Sequence, residues 1–489
     1  MPHPDARRPH PTRSLMILGI AGLAFALGQT LLIPAFPDLI RELDTDSSGV
    51  AWTITGYLVA AAVFTPIMGR LGDMFGKRRL LVLALMAFCA GCVVSALTNQ
   101  LEVVVAGRVL QGVGGGIFPL CFGIIRDEFP ARRVARSIAL MSAIAGIGGG
   151  LGLVLGGILI DNVSFHWIFW LGAIMAGVAV TSTWLFIAES PVRTPGRVDI
   201  RGAIVLAVGL VMPLLAISQA HIWGWGSART LGLIAAGLIV LAGWVQLQRR
   251  TPEPLADIST LAKPAVLMTN LATLLVGFGM FGSFVLIPQL VEAPASTGYG
   301  FGLTASEAGL LMLPGALAML VCGPLSGILG TRYGNKVSLT VGALLAGLGL
   351  GLLAVGHGSQ ASILIFNVVL SAGVGFAFAA MPNLIVDAVP RAQTGEATGF
   401  NALVRSLGAS LGTQLMAALL AGSAIAGSVQ PSENGFTIAF AVGAAVTGAA
   451  AIAAVLVPRS LHRTHAAATD ELGAAGPLAE PAYAGEVAR

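Results

Sequence analysis

The stretch GRLGDMFGKRR at 69–79 gathers Asp73 with Arg70, Lys77, Arg78 and Arg79 between two apolar runs, in a chain that is only 10% charged. A carboxylate placed there can accept hydrogen bonds from backbone N–H groups at a helix start, or pair with a nearby arginine. Two further cations lie inside apolar runs, where a charge is costly unless it is paired or hydrated. Arg108 has Gln111 one turn on and Gly112 at i+4, so it shares its face with a polar and a small residue. Arg405 follows Asn401 at i−4 and precedes Gly408 at i+3, and is also expected to face inward. No carboxylate occupies the centre of any apolar run. The nearest are Asp38, Glu292 and Glu307 at one set of ends, and Asp73, Asp127, Asp387 and Glu396 at the other. Two interior arginines without an interior acid favour neutral or anionic hydrophobic ligands over dications. H-E-x-x-H, paired aspartates and a Gly-rich lysine loop are all missing from the sequence. No enzyme activity, metal, cofactor or nucleotide is therefore expected. The four cysteines lie in apolar runs, and Cys89 with Cys92 lacks the partners of a zinc site.

These residues must be positioned by membrane helices. The chain has 489 residues, 56% of them hydrophobic, with mean hydropathy +0.86. A soluble protein carries about a quarter charged residues; here one run of roughly 20 apolar residues follows another, as in an all-α polytopic membrane protein. Fourteen spans are expected, from 14–36 and 51–70 through a middle pair at 202–220 and 229–247 to 435–457. Of the 27 lysines and arginines, 23 fall on the side of the N-terminus, two on the other, and Arg108 and Arg405 within spans. The positive-inside rule then puts both termini in the cytoplasm, with the chain in the plasma (inner) membrane. The net charge of +4 is an orientation signal and not a nucleic-acid footprint. Membrane lipids are the partners it implies.

The sequence also repeats. Gly69, Gly72 and Gly76 recur as Gly327, Gly330 and Gly334, and VLQGVGGG at 109 resembles VLSAGVGF at 369. Thr331 stands at the place of Asp73, and Val337 at that of Arg79. Two matches at nearly one offset argue for a duplicated unit, a transporter signature. The expected organisation is 6 + 2 + 6: a six-helix half at 1–190, an inserted pair with its loops at 191–264, a second half at 265–463, and a disordered cytoplasmic tail at 464–489. Gly148, Gly152 and Gly156, with Gly157 beside the last, offer a smooth face for tight crossing against a helix of the other half.

GRLGDMFGKRR matches the cytoplasmic loop motif of the major facilitator superfamily, G-x3-D-x2-G-x2-R/K, through Gly69, Asp73, Gly76 and Arg79. AGRVLQGVGGG resembles that superfamily's fourth-helix motif, and GIGGGLGLVLGG at 146–157 its fifth-helix antiporter motif. With fourteen spans, the chain resembles the 14-helix drug:H+ antiporter family over about residues 14–457. The resemblance implies a monomeric secondary transporter with the major facilitator fold. It would export hydrophobic or amphiphilic small molecules (drugs, antibiotics or natural products) by alternating access in exchange for protons. Metabolite or lipid transport, or facilitation without protons, is the alternative. Asp73 would hold the two halves together on the cytoplasmic side. Two positions depart from the pattern: Leu153 replaces a proline, and Gly28 replaces an aspartate in LGQTLLIPAFP. A coupled proton would then need a boundary carboxylate, in the order Glu292, Asp127, Asp38, with Arg108 as the competing charge. The middle pair, outside the repeat, is expected at the periphery.

Overall fold

A computed structural model describes residues 11–32, 35–45, 47–190, 199–390, 393–423 and 431–458. The expected tail and the side chains of Asp38 and Leu153 lie outside the described residues. Among the described residues, fourteen helices are long and apolar enough to cross a membrane. The first six are α1 (Pro11–Thr30), α2 (Ser47–Phe75), α3 (Lys77–Ala96), α4 (Leu101–Glu128), α5 (Ala131–Asn162) and α6 (His166–Phe186). The inserted pair is α7 (Ile200–Trp223) and α8 (Ala228–Arg250). The second six are α9 (Pro264–Glu292), α10 (Ala305–Tyr333), α11 (Asn335–Val355), α12 (Gln360–Ala388), α13 (Thr394–Gly422) and α14 (Glu433–Leu456).

Helix is the dictated solution because lipid offers no partner to a free backbone N–H or C=O. Large apolar side chains stay exposed along the outer faces, as Ile239, Val355 and Ile452 do, which is tolerable only against lipid. The remainder pack inward. One core lies within residues 17–187, joined by Val386, and another within 272–454.

Three boundaries differ from the hydropathy reading. The first span ends at Thr30, and a short helix, Phe36–Glu42, begins with Pro37 in its first turn before α2, where the missing N–H of proline does no harm. α2 runs on to Phe75, so Gly69, Gly72 and Asp73 are helical and the link to α3 is Gly76 alone. Charged residues ended the apolar window there, but they do not end a helix whose polar groups find partners. Within α4, the glycine-rich Val113–Gly116 tightens into a 3-10 turn.

α2 packs on α13, and α10 packs on α5, so each half lends one helix to the other. A Cβ on Gly69 would strike the carbonyl oxygen of Gly395, and one on Gly399 would lie 3.0 Å from Pro66 Cα. At the repeat-related place, a Cβ on Gly327 would lie 3.1 Å from Arg136 Cα. The glycine row of α5 divides by face. Gly148 and Gly152 abut Ala26 and Thr30 of α1, in their own half, contrary to the expectation of an inter-half crossing. Gly146, Gly150 and Gly157 make that crossing, against Met319, Ala316 and Ser306 of α10. The four-residue spacing selects one helix face, and the face that meets α10 is offset from it by about half a turn. Gly156 is buried.

α7 lies over the seam between α2 and α13. Its Leu206, Leu210 and Leu214 cluster with Val63 of α2 and Phe400 of α13, and Trp244 of α8 stacks on Phe400 with ring centroids 5.7 Å apart. An apolar crevice of about 350 Å³ separates α7 from α2 and α4. Among the described residues, no charged one lines it.

Candidate functional site

The charged residues of 69–79 build a buried cluster where the two halves meet. Asp73 is 1% exposed. Its Oδ2 accepts the backbone N–H of Glu396 at 3.1 Å, in the first turn of α13. The carboxylate thus serves as a cap to a helix of the other half, satisfying one orphan donor and opposing the positive end of the helix dipole. Its Oδ1 lies 3.1 Å from Lys77 Nζ, which also reaches Asp127 Oδ2 at 2.8 Å. Ser190 Oγ donates to the same oxygen of Asp127. Lys77 is fully buried between these acids, whereas Arg78 is half-buried and Arg79 exposed. The i+4 spacing of Lys77 from Asp73 is the signal that could have found it.

Gly76 stands at φ +109, a region open to glycine, and a Cβ there would lie 2.6 Å from Glu189 Oε1. That carboxylate accepts the N–H groups of Arg78 and Arg79 at 3.1 and 3.3 Å, so Glu189 caps α3. The Arg79 side chain is 66% exposed, with Nε 3.7 Å from Glu189. An ion pair so exposed adds little.

Arg126 completes the joint from the opposite polarity. Its Nη2 donates to Val389 O at 2.8 Å and its Nη1 to Pro390 O at 3.3 Å and to the hydroxyl of Thr394. An arginine of the first half therefore serves the C-terminal end of α12, where the dipole favours a cation. The second half repeats the Lys77–Asp127 contact with a neutral donor: Asn335 Nδ2 donates to Asp387 Oδ2 at 2.9 Å. Thr331, at the place of Asp73, donates its hydroxyl to Ile328 O at 2.8 Å.

The segment that follows the inserted pair is tied into this joint. Asp257 N–H donates to Glu396 Oε1 at 2.6 Å, and Gln393 Nε2 donates to Asp257 Oδ2 at 3.2 Å. Arg70 Nη1 lies 3.8 Å from the other oxygen of Glu396. Burial pushes the Asp257 carboxyl up, but hydrogen bonds from Ser259, Thr260 and Gln393 outweigh it and hold the group below the ordinary aspartate value. The stabilisation these bonds give is present above the unfolded-state pKa and is lost as pH falls through the depressed folded one. Asp257→Ala should therefore lower the unfolding temperature at neutral pH by the loss of about 1 kcal/mol expected for a cap. The deficit should shrink in acid, and thermal unfolding at the two pH values checks it.

Deeper in the first half, Arg108 is 2% exposed. Its Nε donates to Thr53 O at 3.0 Å, and its Nη1 to Gly28 O at 2.9 Å and Gln111 Oε1 at 2.8 Å. The guanidinium carbon lies 4.1 Å from the Tyr57 ring centroid. Gln111 in turn donates to Ser95 Oγ at 3.3 Å. Arg108 and Gln111 thus join α1, α2 and α4, chiefly through backbone carbonyls that carry no sequence signature. The role of Gly28 also becomes visible: its carbonyl is taken by Arg108, and a Cβ there would lie 2.8 Å from Phe88 Cζ. Arg405 stands apart, in α13, beside Gly277 of α9 and over Phe378 of α12. Glu292 ends α9 with its side chain exposed. The structure brings Asp73 and Asp127 together through Lys77, and Arg108 with Gln111; Glu292 and Arg405 join neither group.

The sequence profile of the Major Facilitator Superfamily matches residues 18–413 and 269–479. The chain is 27% identical over 406 residues to the Tetracenomycin C resistance and export protein of Streptomyces glaucescens, covering 82% of this chain and 74% of that one. It is 30% identical over 413 residues to a uridine/deoxyuridine transporter of Lactococcus lactis subsp. cremoris, covering 81% and 84%. A solved structure of the proton:xylose symporter XylE bound to 6-bromo-6-deoxy-D-glucose superposes with TM-score 0.64 at 16% identity, covering 92% and 96%. Fourteen membrane-length helices among the described residues, twelve of them in two interlocked halves, the buried joint between those halves and these matches lead to one assignment: the chain belongs to the major facilitator superfamily and is similar to its antibiotic-export members.

Proposed function

We propose that this transporter exports hydrophobic or amphiphilic small molecules by alternating access, in exchange for protons. The observation that carries the reading is the Asp73 bond to the start of α13. Where two halves meet at the end rich in basic residues, a single carboxylate holding one backbone N–H makes a strong contact that a small rotation breaks. The halves at 1–190 and 265–463 rock about this seam, and 191–264 rides over it. The similarity to an antibiotic-export protein supports the substrate class. The similarity to a uridine/deoxyuridine transporter supports a second reading, transport of a metabolite.

Purified protein in proteoliposomes with an imposed pH gradient separates the two. An anionic hydrophobic dye, a neutral hydrophobic dye and uridine are offered with and without a protonophore. Gradient-driven movement of the dyes, lost on adding protonophore, is expected; movement of uridine alone would overturn the export reading. Glu292 stands first for the proton, because Asp127 is already engaged by Lys77 and Ser190. Glu292→Gln should reduce substrate-linked proton release in detergent by an order of magnitude or more, while unchanged release would remove it from the path.

The membrane is the plasma membrane and the basic end is cytoplasmic. In a cysteine-free background, Ala295→Cys should react with an impermeant thiol reagent in intact cells. Arg132→Cys should react only after permeabilisation. The reverse pattern would invert the topology.

A further inference from the structure

The two interior arginines are used in opposite ways. Three hydrogen bonds to protein oxygens hold Arg108, and its remaining Nη2 is closed off from solvent. Arg405 has, among the described residues, no carboxylate within 4.0 Å and no hydrogen bond to its guanidinium, yet its side chain is partly exposed. It is the one charged residue in the interior of α9–α14; the others in those helices lie in first or last turns. A cation held at that depth without a counter-ion is costly, and a structure that keeps one has a use for the charge.

Its surroundings say what could reach it. A Cβ on Gly277 of α9 would lie 3.5 Å from Arg405 Cγ, so the side chain runs along α9 toward Phe378 of α12, where its guanidinium carbon is 5.4 Å from the ring centroid. Lipid is therefore not what it faces. Phe281 and Phe284 follow Gly277 at i+4 and i+7 on the same face of α9, with ring centroids 5.6 Å apart. Phe284 reaches across to α5 of the other half, 3.5 Å from the place of a Cβ on Gly149. An aromatic stripe thus leads from the arginine to the meeting of the halves. The corresponding acid is missing from α1, where Gly28 is walled by Phe88.

We propose that Arg405 binds the charged group of the transported molecule, and that the substrate class is amphiphilic monoanions: an aromatic body carrying one ionised carboxylate, phenolate or sulfonate. The guanidinium takes the anion in a charge-assisted pair, and Phe378, Phe281 and Phe284 take the rings. This rests on the exporter reading and narrows its substrate.

The test is binding to purified full-length protein in detergent, against protein-free micelles, with three probes of one shape: 1-pyrenebutyrate, its methyl ester, and the trimethylammonium analogue. Binding needs no turnover, so its failure leaves the gradient-driven transport result untouched. The carboxylate should bind at least tenfold more tightly than ester or cation. Arg405→Gln should remove that preference and Arg405→Lys should retain most of it, each judged on protein that elutes and unfolds like the parent. Should Arg405→Gln not fold, the parent decides: its preference for the acid over the ester should vanish as pH falls below the carboxyl pKa of the probe. Equal binding of the three probes by the parent, or an undiminished preference in Arg405→Gln, overturns the proposal.

Discussion

Asp73→Asn is expected to abolish most transport while the protein still inserts and remains folded. The carboxylate makes one bond across the seam, to the N–H of Glu396 at 3.1 Å, and one contact within its half, to Lys77 at 3.1 Å. An amide of the same shape can keep a hydrogen bond but not the charge that opposes the α13 dipole and pairs with Lys77. A hydrogen bond to a charged group is worth about 1.5–3 kcal/mol, which weakens the closed joint by roughly 10- to 150-fold. The loss falls on a conformational equilibrium and not on substrate contacts, because no part of this cluster touches Arg405 or the aromatic stripe. Transport should therefore drop while probe affinity in detergent stays within about threefold. Cysteine pairs placed across α2 and α13 should cross-link less readily in the mutant. Normal transport with unchanged cross-linking would remove Asp73 from the joint.

Lys77→Met should have the larger effect on stability. Lys77 is fully buried, with Asp73 and Asp127 at 3.1 and 2.8 Å from its ammonium nitrogen. Deleting it leaves two buried carboxylates on one small site without their shared cation. Breaking a buried pair in this way costs about 3–5 kcal/mol, enough to lower the unfolding temperature markedly and to reduce the amount of protein in the membrane. Adding Asp127→Asn should recover part of the loss by removing one of the stranded charges, so the double variant should be more stable than Lys77→Met alone. Thermal unfolding in detergent measures all three. A single mutant as stable as the parent would show the lysine to be dispensable, and a double mutant worse than either would contradict the shared-cation geometry. The second half carries the uncharged version, Asn335 on Asp387, and Asn335→Ala should cost far less.

Hydropathy by itself determined the fourteen crossings, because each helix in lipid must satisfy its own backbone and needs about 20 apolar residues to do so. The repeated glycines determined that one architecture occurs twice, since close helix approach leaves small residues at fixed intervals. Asp73 was legible as a point of attachment because an acid among cations cannot serve as a topology signal. Tertiary structure alone decided what it attaches to: a backbone N–H of α13, more than three hundred residues on. Backbone donors and acceptors look the same at every residue, so no pattern could name that partner, nor the carbonyls of Thr53 and Gly28 that hold Arg108. The same limit applies to α5, where spacing marks a small face but only packing assigns Gly148 and Gly152 to α1, and Gly146 and Gly150 to α10. It applies to Lys77 as well: local sequence counts a charge, whereas its neighbours in space decide whether that charge meets water or two buried acids.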